Sequence, residues 1–280
     1  MINVNDARMN SPLSRLRGNV SKWLIIAVAS VALVAMSWPY ATRGVQQVRG
    51  LATQWAGLEK LEPEHRGKVC AHRANTLTRY RLANRLFDCI EIDVVVTPAV
   101  ADRPSVYHPG SNDRGPSLEQ LLRRSRLPAG VLWLDVKDLG EANWRTLHSL
   151  LLELVPEERL PDILIETGWA DEAAAVAVDG FRRSGFPVSY YLPTREAIEC
   201  GPSESEDCVA FREMVLRTLD LGFSHLSFDA RGYEFVQAMR HELPQPLRLL
   251  TWHTARRFPQ LEMLDDVDLY IVRFRTPFDP

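Results

Sequence analysis

Three short segments hold residue types that do chemistry together. AHRAN carries His72, IEIDV carries Glu91 and Asp93, and WLDVK carries Asp135 and Lys137, while VYHP adds His108 between the second and the third. Each charged residue closes a run of apolar, β-prone residues, so each reads as the end of a buried strand. A buried carboxylate is costly unless it is paired, hydrogen-bonded or bound to a metal. Three of them arriving beside two histidines predict a site for a hard cation, Mg²⁺ or Ca²⁺, with acid/base partners. Zn²⁺ would favour more His or Cys ligands. Side chains alternate along a strand, so Glu91 and Asp93 share one face, as do Asp135 and Lys137. Each residue also has a purely structural reading: Asp135 and Lys137 as an ion pair, Glu91 as a partner of Arg73, His72 as a satisfied core histidine. Together these would need several independent accommodations at one end of one sheet.

The elements that must position these residues alternate along the chain. Strand candidates are Lys68–His72, Cys89–Val96, Val131–Lys137, Asp162–Glu166, Pro187–Leu192, His225–Asp229, Leu247–Trp252 and Leu269–Phe274. Amphipathic stretches that read as helices lie between most of them: Leu77–Leu86, Ser117–Arg126, Asn143–Leu154, Ala170–Ser184, Glu206–Leu221, Gly232–Glu242 and Thr254–Leu264. Strands joined by helical crossovers are parallel, and strands covered on both faces read as continuous apolar runs, as ILIET and RLLTW do. Eight such units predict an α/β protein built as a closed (β/α)₈ TIM barrel, whose functional side chains come from the carboxyl ends of the strands. An open doubly wound sheet is the alternative, but HRANT stands where its Gly-rich phosphate loop would be.

The order of the motifs (a first-strand His, E-x-D on the second strand, a further His, then an acid on the third) resembles the phospholipase C-like phosphodiesterase barrels. These include glycerophosphodiester phosphodiesterases and sphingomyelinase D. The set HRANT, EIDV, HPG and LDVK is most similar to the menorin family. The resemblance implies a divalent cation on Glu91, Asp93 and Asp135, with His72 and His108 as acid and base on opposite sides of a phosphodiester. Arg73 and Lys137 would hold phosphate oxygens, and Asn75 would support the metal shell or the substrate. Trp252, in LLTWHT, resembles a late-strand tryptophan that lines the substrate mouth; alternatively it packs under a loop. The substrate implied is a glycerophosphodiester or a phospholipid headgroup. Only Asn75-Thr76 remains of the P-E-N-T continuation usual in glycerophosphodiesterases. A non-catalytic menorin-like barrel that binds a ligand or partner, and a lyase that stops at a cyclic phosphate, stay open. Glu166, Asp229, Arg273 and Arg275 also stand at strand ends, as further polar wall, helix caps or anion contacts.

Charge and hydropathy set the surroundings. The chain has 280 residues and a net charge of −3, yet Arg8, Arg15, Arg17, Lys22, Arg43 and Arg49 face only Asp6 in the first fifty residues. The remainder is acidic, which excludes a generic nucleic-acid binder. Trp23–Ala41 carries no formal charge and as a helix would cover about 28 Å, close to the thickness of a bilayer core. Basic residues before it predict a cytoplasmic N-terminus and a single-pass anchor, with the barrel periplasmic or otherwise extracytoplasmic. A cleaved signal peptide is the alternative. The expected organisation is a cytoplasmic tail over 1–22, the span over 23–41, a helical linker over 42–64 ended by Pro63, and the barrel over 65–280. The four cysteines suit an oxidising compartment. Cys200 and Cys208 bracket a short polar loop that a disulfide could staple. Cys70 and Cys89 could also bridge, although adjacent parallel strands predict poor geometry for it.

Overall fold

The computed structural model describes Glu59 and residues 61–96, 103–110, 115–252 and 261–274. The span, the cytoplasmic tail and nearly all of the expected linker helix lie outside the described residues. Among the described residues no helix is long and apolar enough to cross a membrane.

The nine described strands are β1 (Val69–Ala71), β2 (Cys89–Val95), β3 (Ser105–Val106), β4 (Leu132–Val136), β5 (Ile163–Thr167), β6 (Val188–Tyr191), β7 (His225–Asp229), β8 (Arg248–Trp252) and β9 (Leu269–Val272). Eight are parallel and close on themselves: β1 pairs with both β2 and β9, and the circuit returns through β4 to β8. This is the expected (β/α)₈ barrel. β3 is an addition that sequence periodicity did not reveal. Two residues are too few to show a pattern, and they pair antiparallel on the end of β2 at Val94↔Val106 and Val95↔Ser105.

Helices cover the outside of the barrel. They are α1 (Pro63–Gly67), α2 (Leu77–Leu86), α3 (Leu118–Arg124), α4 (Trp144–Leu154), α5 (Glu172–Arg183), α6 (Thr194–Cys200), α7 (Glu206–Leu219), α8 (Tyr233–Ala238) and α9 (Leu261–Asp266). Their starts follow local chemistry. Thr76 accepts from the Arg79 amide to cap α2, Ser117 and Gln120 form a reciprocal capping box on α3, and Asp171 accepts from the Ala174 amide to cap α5. The linker helix that Pro63 was expected to end lies almost wholly outside the described residues. Pro63 opens α1, where its missing N–H costs nothing. Helix α6 is short enough to escape a periodicity search. Of the helix expected over Thr254–Leu264, the part before Leu261 lies outside the described residues.

Alternation along the strands stacks the barrel interior in layers. Cys70, Cys89, Trp133, Leu164, Leu250 and Ile271 form one buried apolar layer across it. Two residues further along their strands stand His72, Glu91, Asp135, Glu166 and Trp252. Two residues before Trp133, Leu250 and Ile271 stand Val131, Arg248 and Leu269. The apolar middle layer therefore separates a chemical upper layer from a different lower one.

The middle layer corrects one expectation. Cys70 and Cys89 form a disulfide, with Cα atoms 4.4 Å apart. They are register partners of the β1–β2 pair and both point into the curved barrel, which brings them to the short end of the disulfide range. Cys200 and Cys208 form the second disulfide, from the end of α6 to the first turn of α7.

Candidate active site

The site is built on a bend just after β1. The His72 amide donates to the carbonyl of Val272 on β9, fixing the strand end. Arg73 then takes φ +54°, a left-handed conformation that a non-glycine residue adopts at a cost of about 1–3 kcal/mol. The bend turns three groups toward β2. The Arg73 amide donates to Glu91 Oε2 at 2.6 Å, and the Ala74 amide donates to the Glu91 carbonyl at 3.0 Å. Asn75 then grips Asp93 twice, its Nδ2 donating to Oδ2 at 2.7 Å and its Oδ1 accepting from the Asp93 amide at 2.9 Å. The strained backbone is thus held by two carboxylate residues of the neighbouring strand.

Register brings the third acid in. Asp93 lies opposite Asp135 on β4, and Asp135 lies opposite Glu166 on β5. Glu91, Asp93 and Asp135 each offer an oxygen within 4.8 Å of the others. Lys137 reaches back between them, with Nζ 3.0 Å from Asp93 Oδ1 and in contact with Asp135 Oδ2. The Arg73 guanidinium adds its charge, Nε lying 3.5 Å from Asp93 Oδ2. Glu91 therefore takes the amide of Arg73, while the guanidinium leans toward Asp93.

These surroundings split the carboxyl groups. Burial, with Asp93 and Asp135 nearby, pushes Glu91 well above the ordinary carboxylate range. Burial also raises Asp135, against the pull of Lys137. Burial would raise Asp93 too, but the Lys137 charge and the bond from Asn75 carry it below its ordinary value. Glu166 is pushed up to about 8 by burial and by Asp135. Burial would lower Lys137, but Asp135 and Asp93 hold its ammonium charged. His72, with Nε2 3.9 Å from Glu91 Oε2, is lowered to about 3 by burial and by the Arg73 charge, so it is a neutral imidazole near pH 7.

Above this floor lies a cavity of about 250 Å³ lined by His72, Arg73, Glu91, His108, Asp135, Lys137, Glu166, Tyr191, Trp252 and Ile271. Asn75, bonded to Asp93, is not among the lining residues. His108 lies two residues after β3, and Gly115 packs against Val106 of that strand and against Asn75. A Cβ on Gly115 would collide with the carbonyl oxygens of Val106 and Asn75. Trp252 and Tyr191 stack at 6.3 Å and 17° to form an aromatic wall opposite the acids, and Tyr191 also shares a hydrogen bond with Thr194. Sequence reasoning missed Tyr191. Its signal was its place as the last residue of β6, VSYY, the same strand-end rule that found the acids. Asp229 serves its helix-cap reading, accepting from the Arg231 amide and pairing with that guanidinium. Arg275 lies outside the described residues.

The donor set fits a hard divalent cation. Four carboxyl groups crowd around Lys137 and Arg73, burial and their mutual repulsion raise three of them toward the neutral form, and Glu91 Oε1 is buried with no hydrogen-bond partner. Glu91, Asp93 and Asp135 would hold such an ion, with oxygen ligands of the kind Mg²⁺ and Ca²⁺ take.

The architecture is a (β/α)₈ barrel with an acidic, histidine-flanked mouth at the carboxyl ends of its strands. No protein-family model matches the chain, and no curated protein does. Among solved structures it is similar to a glycerophosphodiester phosphodiesterase from Agrobacterium tumefaciens. That likeness has 16% identity and a TM-score of 0.43, over 75% of this chain and 95% of that one.

Proposed function

We propose that the chain is a divalent-cation-dependent phosphodiesterase acting on a glycerophosphodiester or phospholipid headgroup. The observation that carries this reading is the meeting of Glu91, Asp93 and Asp135 within 4.8 Å of one another, beside His72 and Lys137 in one barrel mouth. A bound Mg²⁺ or Ca²⁺ would supply stabilisation of negative charge on a phosphate oxygen. The chain's own groups do the rest. Lys137 and Arg73 hold the remaining phosphate oxygens. Neutral His72 accepts a proton at Nε2 from the attacking hydroxyl, and His108 donates one to the departing oxygen. The Tyr191–Trp252 wall packs against the group carried by the phosphate. In the same reading Trp23–Ala41 anchors the chain, with 1–22 in the cytoplasm and the barrel outside it, close to a lipid substrate.

The test is hydrolysis of bis-p-nitrophenyl phosphate by the full chain with Mg²⁺, with Ca²⁺ or with EDTA. Turnover should require the cation and should fall about 10²–10⁴-fold in His72→Ala, the usual contribution of a positioned acid or base. Activity that survives both EDTA and that substitution would overturn the mechanism. Absence of turnover on any phosphodiester with a cation bound would favour a binding barrel. Phosphorus NMR of the products separates a hydrolase from a lyase that stops at a cyclic phosphate.

A further inference from the structure

The barrel has a second cavity at its other end. It measures about 530 Å³, twice the volume of the mouth and within the range of small-molecule sites, roughly 300–1,000 Å³. Its apolar walls come from Val131, Leu164, Phe186, Leu250 and Leu269. Leu164 and Leu250 belong to the middle layer, so that single layer divides this cavity from the acidic mouth.

The polar groups are few and of opposite sign to those of the mouth. Arg182, in the last turn of α5, and Arg248, the first residue of β8, both line the cavity. Among the described residues no hydrogen bond or ion pair holds either guanidinium. Asp268 also lines it, with Oδ2 accepting from the Leu249 amide at 2.9 Å. His225 is buried beside them, with Nδ1 2.8 Å from Ser224 Oγ. Burial and the Arg248 charge lower it to about 4, so it adds no charge near pH 7. Two guanidiniums against one carboxylate leave a single positive charge at an apolar chamber.

We propose that this end of the barrel is a second binding site, for a single-chain organic monoanion such as an acyl carboxylate. Its oxyanion head would meet Arg182 and Arg248, and its alkyl chain would lie against Phe186, Leu164 and Leu250. Guanidinium suits this task because its planar donors match a carboxylate and it is weakly hydrated for a cation. The site stands apart from the catalytic reading, since none of its residues lines the mouth.

Calorimetric titration of the full chain in nonionic detergent with octanoate, and with octanol as the uncharged counterpart, tests it. Octanoate should bind saturably at one site, at least tenfold more tightly than octanol. Arg182→Gln and Arg248→Gln should each weaken it at least fivefold without changing the thermal melt. Equal affinity for octanol, no saturable uptake of octanoate, or full affinity in both folded variants would overturn the proposal. If either variant fails to fold, the octanoate–octanol comparison on the unaltered chain decides alone.

Discussion

Asn75 holds Asp93 from both sides, through its side-chain carboxylate and its backbone amide. Asn75→Ala removes both bonds and leaves a buried amide and carboxylate short of a partner. We expect a stability loss of about 1–3 kcal/mol, measured by denaturant unfolding. We also expect about 10–100-fold weaker Mg²⁺ binding, because groups that orient a ligand carboxylate act on metal affinity. A variant that unfolds earlier yet binds Mg²⁺ as tightly would show that Asn75 serves the fold alone. At this scale the sequence, with its family resemblance, offered Asn75 two roles, support of the metal shell or of the substrate, and no partner. HRANT marked Asn75 as polar and near the site, but only the left-handed turn at Arg73 aims it at Asp93. Glu91, Asp93, Asp135 and Lys137 were legible because a charge that closes an apolar run has few places to go. Tyr191 was not, since a tyrosine in a strand reads first as packing.

Among the elements, β3 pairs with β2 over two residues, and the chain returns beside it at Pro116 and Ser117. Gly115 passes so close to the carbonyls of Val106 and Asn75 that any side chain must push them apart. Gly115→Ala should cost about 1–3 kcal/mol through overpacking and should displace His108 and Asn75 together. Turnover should therefore fall further than a thermal shift of that size would explain. Unchanged kinetics in Gly115→Ala would remove this strand from the site. The β1–β2 junction is the other slender element, with only Cys70↔Cys89 and Ala71↔Ile90 in register. Its disulfide closes a loop with a sequence separation of 19. Replacing both cysteines with serine should lower stability by about 2–4 kcal/mol, read as a shift in the urea midpoint. An unmoved midpoint would mean that barrel closure alone sets this pairing. The eight parallel strands were readable from apolar runs and helical spacers, while this bridge was not. Whether in-register cysteines on neighbouring parallel strands can meet depends on barrel curvature, which no local pattern encodes.

For the whole molecule, acid should act through the lower end as well as through the mouth. His225 is held neutral, lowered to about 4 from an unfolded value near 6.5. Between those values the unfolded chain binds the extra proton. The contribution is therefore complete above about pH 6.5 and is lost as pH falls toward 4, to a total of roughly 3 kcal/mol. Denaturant unfolding at pH 7 and pH 4.5 should show a larger acid loss in the native chain than in His225→Gln. Parallel losses in the two proteins would sink this account. Comparison with the variant is needed because Glu166, raised to about 8, contributes with the opposite sign as pH rises above its unfolded value. The architecture as a whole was legible because alternation of strand and helix is a global pattern. The lower cavity was not, since it exists only where residues far apart in the chain meet under the middle layer.

The bridge between Cys70 and Cys89 has one more bearing. His72 and Glu91 each stand two residues beyond a bonded cysteine, so the sulfur link ties together the two strands that carry them. A sample matured where thiols stay reduced would be a different reagent from one matured under oxidation, even with an identical sequence. Its history of preparation, and not only its purity, would enter every measured rate.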